Sequence, residues 1–300
     1  MDSICAVVVT FQPDLEILRG NLLSCRAQVD HLVVVDNGSD SDTRAQIANV
    51  ARNADCNMLQ LDENYGVASA QNHGIGWARK MGCKWLVLFD QDSRPGAGMV
   101  NTLRLAFAEL IARGSAVAAV GPKLLDTRTM RATPFVRIHA FGVTKIDCNT
   151  VSDQFVVTDF LVSSGSLIPM TMFDQVGLPE EGLFIDNVDL EWCFRARSKG
   201  FLLYGVCAAV MHHTVGDHVI QVGNSVIHLH SPLRQYYIMR NRILLYRRSY
   251  SPWGWVLQDF WRMVFKLVFF AVFSSPRRQN VQMMLKGIKD GLLRKAGKYR

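Results

Sequence analysis

The sequence predicts an α/β fold in which a mostly parallel central sheet carries helices on both faces. Short apolar runs rich in β-branched residues alternate with helical patterns through the first hundred residues. These runs are continuously apolar, which is typical of parallel strands buried on both sides. The chain of 300 residues is 49% hydrophobic and 20% charged, so it can bury a large core, and disordered or fibrous classes are excluded.

The first hundred residues supply four of these strands, each followed by a turn or helix signal. Ile4–Thr10 leads into a helical pattern of leucines between positions 15 and 23. His31–Asp36 ends at Asn37-Gly38-Ser39-Asp40, which is a turn and helix-start signal. The remaining elements predicted here are strands over Met58–Leu61 and Trp85–Phe89 and a helix over Val67–Lys80.

Beyond residue 115 the pattern is less regular. Without an internal repeat or a low-complexity linker, we expect one domain over residues 1–250 and a C-terminal extension over residues 251–300. Helices are predicted over Val188–Lys199 and Pro232–Arg248. The strands predicted here are Ala116–Val120, Phe155–Ile168 with an interruption at Ser163-Ser164-Gly165-Ser166, Phe201–Val206 and Ala209–His213.

Net charge and cysteine content exclude several classes of protein. The formal charge of +7 comes from residues 276–300, which carry eight Lys or Arg and one Asp. A neutral body with a basic tail does not resemble a nucleic-acid groove, so we expect no nucleic-acid partner. The seven cysteines form no CxxC pair and mostly lie in apolar runs. We therefore expect buried thiols in a reducing compartment, with neither a disulfide nor a zinc framework. With no signal segment and no apolar stretch of about 20 residues, we expect a cytoplasmic protein.

Acidic residues follow two of the predicted strands. Asp36 ends the second strand, and Asp90 and Asp92 follow the fourth. Ligands of open parallel sheets bind at the carboxyl ends of the strands. Crowded carboxylates there are best compensated by a hard divalent ion that bridges to phosphates. The chain has neither GxGxxG after the first strand nor GxxxxGK[ST], so a bound nucleotide would depend on metal and side chains.

Several motifs together resemble the family 2 glycosyltransferases. They are Val9-Thr10-Phe11, Val35-Asp36-Asn37-Gly38-Ser39-Asp40, Asn64-Tyr65-Gly66-Val67-Ala68 with Asn72, and Asp90-Gln91-Asp92-Ser93. Three later features resemble the rhamnosyltransferase branch of that family, namely Phe184 to Arg195, Ser163-Ser164-Gly165 and His213 with Gly216-Asp217. The resemblance covers residues 4–248. It implies a GT-A fold, which is Rossmann-like, a nucleotide-sugar donor such as dTDP-L-rhamnose, Mg²⁺ or Mn²⁺, and inversion at the anomeric carbon.

The same resemblance implies roles for individual residues. Asp92 would bind the metal, with His213 approaching the metal or the diphosphate. Asp189 would be the general base that takes the proton of the acceptor hydroxyl. The nucleotide and donor sugar would contact Thr10, Gln12, Asp36, Asn37, Asn64, Gly66, Asn72, Asp90, Gln91 and Arg240. The acceptor side would be formed by Ser164, Gly165, Asp186, Glu191 and Trp192.

Some of these assignments have alternatives. Many family members carry a Glu-Asp pair at the base position, whereas this chain has Val188-Asp189, so Asp186 is a rival base. Glu191 and Arg195 are four apart on a predicted helix, which also suits an exposed structural salt bridge. His213 and its neighbour His212 point to opposite faces of a strand, so only one can reach the site. Asn72 and Arg240 could instead lie on solvent-exposed helix surfaces.

The C-terminal extension predicts a contact with a membrane surface. Residues 253–273 contain three Trp and five Phe, and their only charged residues, Asp259, Arg262 and Lys266, form one stripe of a helix. This amphipathic pattern is typical of a helix lying in a membrane interface with the charged stripe towards water. The basic tail would add attraction to anionic lipids. The alternative is a helix that packs on the domain or on a second copy in a homo-oligomer.

We therefore expect a metal-dependent inverting glycosyltransferase that works peripherally at the cytoplasmic face of the inner membrane. The acceptor would be a lipid-linked or growing cell-surface glycan. One alternative keeps the fold but uses a UDP-hexose or UDP-hexosamine donor. The other is a membrane-bound scaffold that binds nucleotide without turnover, against which the intact set of Asp36, Asp92 and Asp189 argues.

Overall fold

The fold is a mixed sheet between layers of helices, as predicted. In this computed structural model the described residues are 2–127, 131–150, 153–213, 218–222 and 225–299, without the side chains of 213, 218–222 and 225–229. The strands are β1 (Ile4–Thr10), β2 (His31–Asp36), β3 (Asn57–Gln60), β4 (Trp85–Asp90), β5 (Ser93–Pro95), β6 (Val117–Asp126), β7 (Phe135–His139), β8 (Gly142–Ile146), β9 (Phe155–Thr158), β10 (Leu167–Pro169), β11 (Leu202–His213), β12 (His218–Val222) and β13 (Ser225–Leu229). The helices are α1 (Leu15–Arg26), α2 (Ser41–Asn53), α3 (Val67–Lys80), α4 (Met99–Ala112), α5 (Met170–Gln175), α6 (Val188–Ser198), α7 (Pro232–Tyr246), α8 (Trp253–Val272) and α9 (Arg277–Leu292).

The central sheet has the order β3-β2-β1-β4-β10-β6-β11-β5, and β9 pairs with β11. Strands β1 to β4 are parallel, whereas β10 runs antiparallel between β4 and β6. Helices α1, α2 and α4 cover one face of the sheet, and α3, α5 and α6 cover the other. The carboxyl ends of β1, β2 and β4 therefore meet at one edge, which is where the predicted site residues lie.

Local sequence explains why the helices begin where they do. The side chain of Asp14 accepts hydrogen bonds from the backbone N–H groups of Glu16 and Ile17, and Asp40 caps α2 in the same way. Helix α3 lies very close to β1, because a Cβ on Gly74 would stand 2.3 Å from Cγ1 of Val7. Glycine thus sets the distance between this helix and the sheet.

The less regular second half differs from prediction in several places. The predicted strand over Phe155–Ile168 is two strands, β9 and β10, which pair with different neighbours. The two strands predicted over residues 201–213 are one strand, β11, with a register shift between Val206 and Val210. Helices α4 and α9 and the hairpins β7–β8 and β12–β13 were not predicted. Gly216 and Asp217 of the resemblance lie outside the described residues.

The prediction that no cysteine forms a disulfide is wrong. Cys148, which follows β8, is bonded to Cys207 of β11 and so ties the β7–β8 hairpin to the central sheet. The two residues are 59 positions apart, and neither spacing nor composition signals the pairing. The other five cysteines are free thiols, as predicted, and all of them except Cys56 are buried.

The C-terminal extension folds back onto the domain as the helical hairpin α8–α9. Helix α9 packs tightly on α7, because a Cβ on Gly287 would stand 2.4 Å from the carbonyl oxygen of Tyr236. The tail then crosses towards the sheet edge, where Lys298 Nζ pairs with Glu63 at 2.5 Å. Among the described residues, no helix combines the length and apolarity needed to span a bilayer.

Helix α8 is amphipathic in the opposite sense to the prediction. Asp259 is buried, accepting a hydrogen bond from the hydroxyl of Tyr246 at 2.7 Å and pairing with Arg242 of α7 at 3.2 Å. Asp259 therefore faces the protein, since buried carboxylates require partners, and Lys266 is half-buried, whereas Arg262 of the same stripe is exposed. The aromatic face points outwards instead, with Phe265 71% exposed and Trp253 60% exposed.

Candidate active site

The loop after β2 surrounds a buried carboxylate. Asp36 is fully buried and accepts hydrogen bonds from the hydroxyl and the backbone N–H of Ser39, the first at 2.5 Å. Arg44 Nε lies 3.4 Å from its other oxygen. In this structure Asp36 thus holds the loop that follows β2. A contact with base or ribose, as the resemblance implies, would require rearrangement of these partners.

Two asparagines join this loop to the start of α3. Asn37 Nδ2 donates to Asn64 Oδ1 at 3.2 Å, and Asn37 Oδ1 accepts from the backbone N–H of Tyr65 at 3.0 Å. Gly66 has a φ of 91° and lies against the backbone of Phe184, where a Cβ would come within 2.5 Å of the carbonyl oxygen. Only glycine fits both the conformation and the space. Asn37, Asn64 and Gly66 therefore lie together, as the resemblance implies.

The end of β1 and the loop after β4 form the adjoining wall. The hydroxyl of Thr10 is buried and has no hydrogen-bond partner among the described residues. Gln91 Oε1 accepts from the backbone N–H of Phe11 at 2.9 Å, and the backbone N–H of Gln12 donates to Ser39 Oγ at 3.0 Å. The structure thus brings Thr10, Gln12 and Gln91 to one edge, where the hydroxyl of Thr10 has no partner among the described residues.

Asp90 stands beside the serine-glycine segment that precedes β10. The hydroxyl of Ser164 accepts a hydrogen bond from the backbone N–H of Asp90 at 3.0 Å, and the N–H of Gly165 donates to Leu88 at 2.7 Å. Asp92 lines a cleft of about 820 Å³ together with His212. Of His213, only the backbone at the end of β11 is described, opposite Ser93 of β5.

Asp92 is the carboxylate to which the resemblance assigns a divalent ion. No group of three or more His, Cys, Asp or Glu side chains that could hold a metal occurs in the part of the chain that the structure describes. Mg²⁺ commonly binds through one or two carboxylates, with waters and substrate phosphates completing its shell. Asp92, next to Asp90 at the sheet edge, suits such a site.

Asp189 lies at the start of α6 and faces a small apolar cavity. This cavity, of about 30 Å³, is also lined by Gln71, Leu161 and Trp192. Burial raises the pKa of Asp189 to about 6, and the charges of Asp90 and Asp186 act in the same direction. Such a carboxylate is ionised at neutral pH and basic enough to accept a proton.

The loop before Asp189 has an unusual backbone that α7 holds in place. Phe184, Asp186 and Asn187 all have positive φ, between 62° and 65°. The side-chain amide of Asn241 donates to three carbonyl oxygens of this segment, those of residues 183, 185 and 186, at 2.8–2.9 Å. Arg234 forms a bidentate pair with the carboxylate of Asp186, which leaves that rival base already neutralised.

Four residues predicted at the site make structural contacts in this conformation. Arg240 is buried and donates to the carbonyl oxygens of Gly182, Leu183 and Gly297, so it is not available to a diphosphate. Glu191 is fully buried against Arg195 and Tyr250, so its pair with Arg195 is not the exposed one that its spacing suggests. The indole Nε1 of Trp192 donates a hydrogen bond to Gly177. The side chain of Asn72 donates to Pro179 and Glu181.

Sequence reasoning missed Asn241, Arg234's pairing with Asp186, and the docking of the C-terminal tail. Asn241 lies within the predicted helix Pro232–Arg248, where an asparagine has low propensity and signals a side-chain role. The tail contact has no comparable signal, because Tyr299, whose N–H donates to the hydroxyl of Tyr237 at 2.8 Å, is far away in sequence.

Residues 5–140 match the family model described as Glycosyl transferase family 2. The chain is 29% identical over 286 residues, 95% of its length and 93% of the relative's, to the dTDP-rhamnosyl transferase RfbF of Shigella flexneri. Residues 5–140 therefore belong to the family 2 glycosyltransferases. These matches support the family resemblance and, with it, the prediction of an enzyme.

Solved structures confirm that this glycosyltransferase has the GT-A fold. It superposes on Staphylococcus aureus TarS 1–349 in complex with UDP-GlcNAc with a TM-score of 0.58, at 15% identity, covering 98% of this chain and 81% of that one. It superposes on GalNAc-T7 with UDP, GalNAc and Mn²⁺ with a TM-score of 0.59, at 12% identity, covering 97% and 56%. The glycosyltransferase thus spans about half the length of the GalNAc-T7 chain.

Proposed function

We propose that this glycosyltransferase transfers a sugar from a nucleotide donor with inversion, and that Asp189 is the general base. Asp189 takes the proton of the acceptor hydroxyl, whose oxygen attacks the anomeric carbon from the face opposite the nucleotide. The bond from that carbon to the diphosphate oxygen breaks, and the nucleoside diphosphate leaves with both bonding electrons. The observation that carries this assignment is the position of Asp189 in an apolar wall, where its pKa is raised to about 6 while Asp186 is paired with Arg234.

A divalent ion held by Asp92 would stabilise the charge of the departing diphosphate, so no protonated acid is required. We assign Mg²⁺ or Mn²⁺ to this position, where His212 lines the same cleft as Asp92. Thr10 contributes its unpaired hydroxyl to the nucleotide, and Asn37 and Asn64 shape the pocket floor. Asp90, adjacent to Asp92, orients the donor sugar next to Ser164 and Gly165.

The donor we propose is dTDP-L-rhamnose, on the basis of similarity to RfbF along nearly the whole chain. A UDP-sugar is the second candidate, because the two superposed GT-A structures contain UDP or UDP-GlcNAc. Calorimetric titration with dTDP, UDP and GDP, each with and without Mg²⁺ or Mn²⁺, separates them. Metal-dependent preference for dTDP supports the rhamnose donor, and preference for UDP replaces it with a hexose or hexosamine donor.

The matched variant for this titration is Asp92→Ala, with Asp174→Ala on the exposed surface as control. We expect Asp92→Ala to abolish metal-dependent binding and Asp174→Ala to leave it unchanged. Unchanged metal dependence in Asp92→Ala would contradict the metal assignment while leaving the donor pocket intact.

We further propose that α8 rests on the cytoplasmic face of the inner membrane, where the acceptor is a lipid-linked or growing cell-surface glycan. The support is the outward face of α8, where Trp253, Trp261 and Phe265 are exposed. Residues 253–289 carry six Lys or Arg, and their one acidic residue, Asp259, is buried. An apolar strip with an exclusively basic rim is complementary to an anionic leaflet.

Flotation with vesicles of phosphatidylglycerol and phosphatidylcholine tests the membrane contact. Phe265→Ser should reduce the bound fraction, whereas Leu105→Ser, which removes an exposed leucine from α4, should not. Point variants are preferable to deletion of residues 251–300, because α9 covers part of α7 and its removal would expose the core. Equal binding by Phe265→Ser and the unmodified chain would refute the contact.

A further inference from the structure

Three basic side chains lie between α7 and α8, and we call Arg234, Arg242 and Lys266 the basic cluster. Arg234 pairs with Asp186 at 3.1 Å, and Arg242 pairs with Asp259 at 3.2 Å. The charges of both arginines and of both carboxylates act on Lys266, which shows that all five groups are close together. Of these five described groups, three are cations and two are anions.

The positive charge of the basic cluster is incompletely compensated. Nη1 of Arg242 is buried and makes no hydrogen bond to any described residue. Lys266 is partly buried, and its Nζ stands 5.7 Å from the ring centroid of Phe270. Burial, followed by the charge of Arg242, lowers the pKa of Lys266 to about 8. Buried cations without full hydrogen bonding are costly, and an anion placed among them would remove that cost.

The basic cluster borders the apolar outer face of α8. Phe265, next to Lys266 in sequence, is largely exposed, and so are Trp261 and Val268 one turn away on either side. Arg262 is exposed on the same helix. A ligand reaching the cluster from this side would therefore pass from an apolar surface to a group of cations. An apolar surface that leads to a group of cations is complementary to an amphiphile with an anionic phosphate next to its hydrocarbon chain.

The basic cluster is also connected to the catalytic carboxylate. Arg234 holds the side chain of Asp186, while Asn241 holds its backbone carbonyl at 2.9 Å. The charge of Asp186 in turn acts on Asp189. A phosphate bound at Lys266 would thus sit beside the loop that carries the general base.

We propose that the basic cluster binds the phosphate of a lipid carrier on which the acceptor sugar is held. The hydrocarbon chain would lie along the exposed face of α8, and the sugar would extend towards Asp189. This assignment rests on the proposed function, to which it adds the side chains that hold the phosphate of the acceptor's carrier. It makes Lys266 and Arg242 binding residues for the acceptor, with Arg234 as a positioning residue that links them to the base loop.

Titration of the full chain with dodecyl phosphate below its micellar concentration tests the assignment. Two partial probes each lack one half of that ligand: inorganic phosphate lacks the hydrocarbon chain, and dodecyl maltoside lacks the phosphate. The variants are Lys266→Gln and its control Arg262→Gln, which removes the same charge from an exposed position of the same helix. We expect the unmodified chain to bind dodecyl phosphate at least tenfold more tightly than either partial probe. We expect Lys266→Gln to weaken that binding about tenfold, as loss of one charge-assisted hydrogen bond does, and Arg262→Gln to weaken it less than twofold.

Two results would overturn the assignment. Equal losses in the two variants would mean diffuse attraction to a basic surface, and equal affinity for inorganic phosphate would mean a site for free phosphate. Nucleotide titration of the same proteins keeps the two proposals apart. If the unmodified chain binds no nucleotide, the proposed function fails whatever the lipid probe shows. If Lys266→Gln binds nucleotide normally and dodecyl phosphate unchanged, only the acceptor assignment fails.

Discussion

The substitution Asp189→Asn should remove activity and stabilise the fold at the same time. Burial raises the pKa of Asp189 from its ordinary value of 3.8 to about 6. A shift of this size corresponds to about 3 kcal/mol of unfavourable free energy for the ionised form in the folded state. Because the folded-state pKa is the higher one, this cost is absent below about pH 4, grows as the pH rises to about 6, and is complete above that value.

The expected gain in the free energy of unfolding is therefore up to about 3 kcal/mol at pH 8 and close to zero at pH 4. Denaturant unfolding of both proteins at the two pH values measures it. Asp174→Asn, which removes an exposed carboxylate, is the matched control and should change stability by less than about 1 kcal/mol at either pH.

The same substitution should lower catalytic activity while it raises stability. A general base must be ionised, so kcat/KM of the unmodified enzyme should fall as the pH is lowered through about 6. Asp189→Asn should reduce kcat about 10²–10⁴-fold. A variant that retains activity, a flat profile between pH 5 and 8, or a stability gain independent of pH would refute the assignment. Loss of activity in Asp186→Asn with retention in Asp189→Asn would move the base to Asp186.

Three further predictions concern the scaffold of the site. Glu191→Gln breaks the ion pair between a fully buried carboxylate and Arg195 and should cost about 3–5 kcal/mol in denaturant unfolding, whereas Glu109→Gln, in an exposed pair of the same spacing, should cost less than about 1 kcal/mol. Gly74→Ala should lower the free energy of unfolding by about 1–3 kcal/mol, because its Cβ would overlap a valine of β1. Gly76→Ala, on the same helix, meets open space and should be neutral or stabilising. Equal denaturation midpoints for the two variants would contradict this packing. Asn241→Leu should lower kcat more than nucleotide affinity, because three carbonyl groups of the base loop lose their donor; a uniform loss of both, or of neither, would argue against a positioning role.

Prediction from the sequence was most successful where local chemistry decides the structure. The bounds of β1, β2 and α3 agree with the predicted ones, since apolar runs and turn residues fix short parallel strands and their helices. The same region places Asp36, Asp90 and Asp92, because side chains that follow parallel strands must meet at one edge. Prediction was weakest after residue 115, where strands pair out of chain order and register depends on partners far away.

The orientation of α8 shows why a helical pattern does not choose its own environment. Periodicity predicts one charged stripe and one aromatic face, but it contains no information about which of them meets the protein. The partner decides, because Arg242 and Tyr246 of α7 supply a cation and a hydroxyl for Asp259. Once that carboxylate is buried, the aromatic side chains of the opposite face remain outside.

The sequence by itself determined the fold class, the family and the edge of the sheet at which the acids gather, because each of these follows from residue type and spacing along the chain. Tertiary structure alone decided which acids are free to react. Asp186, Asp189 and Glu191 lie within six positions of one another, yet one is paired with Arg234, one faces an apolar cavity and one is enclosed with Arg195. Their environments depend on distant partners and on burial, and neither can be read from a local pattern.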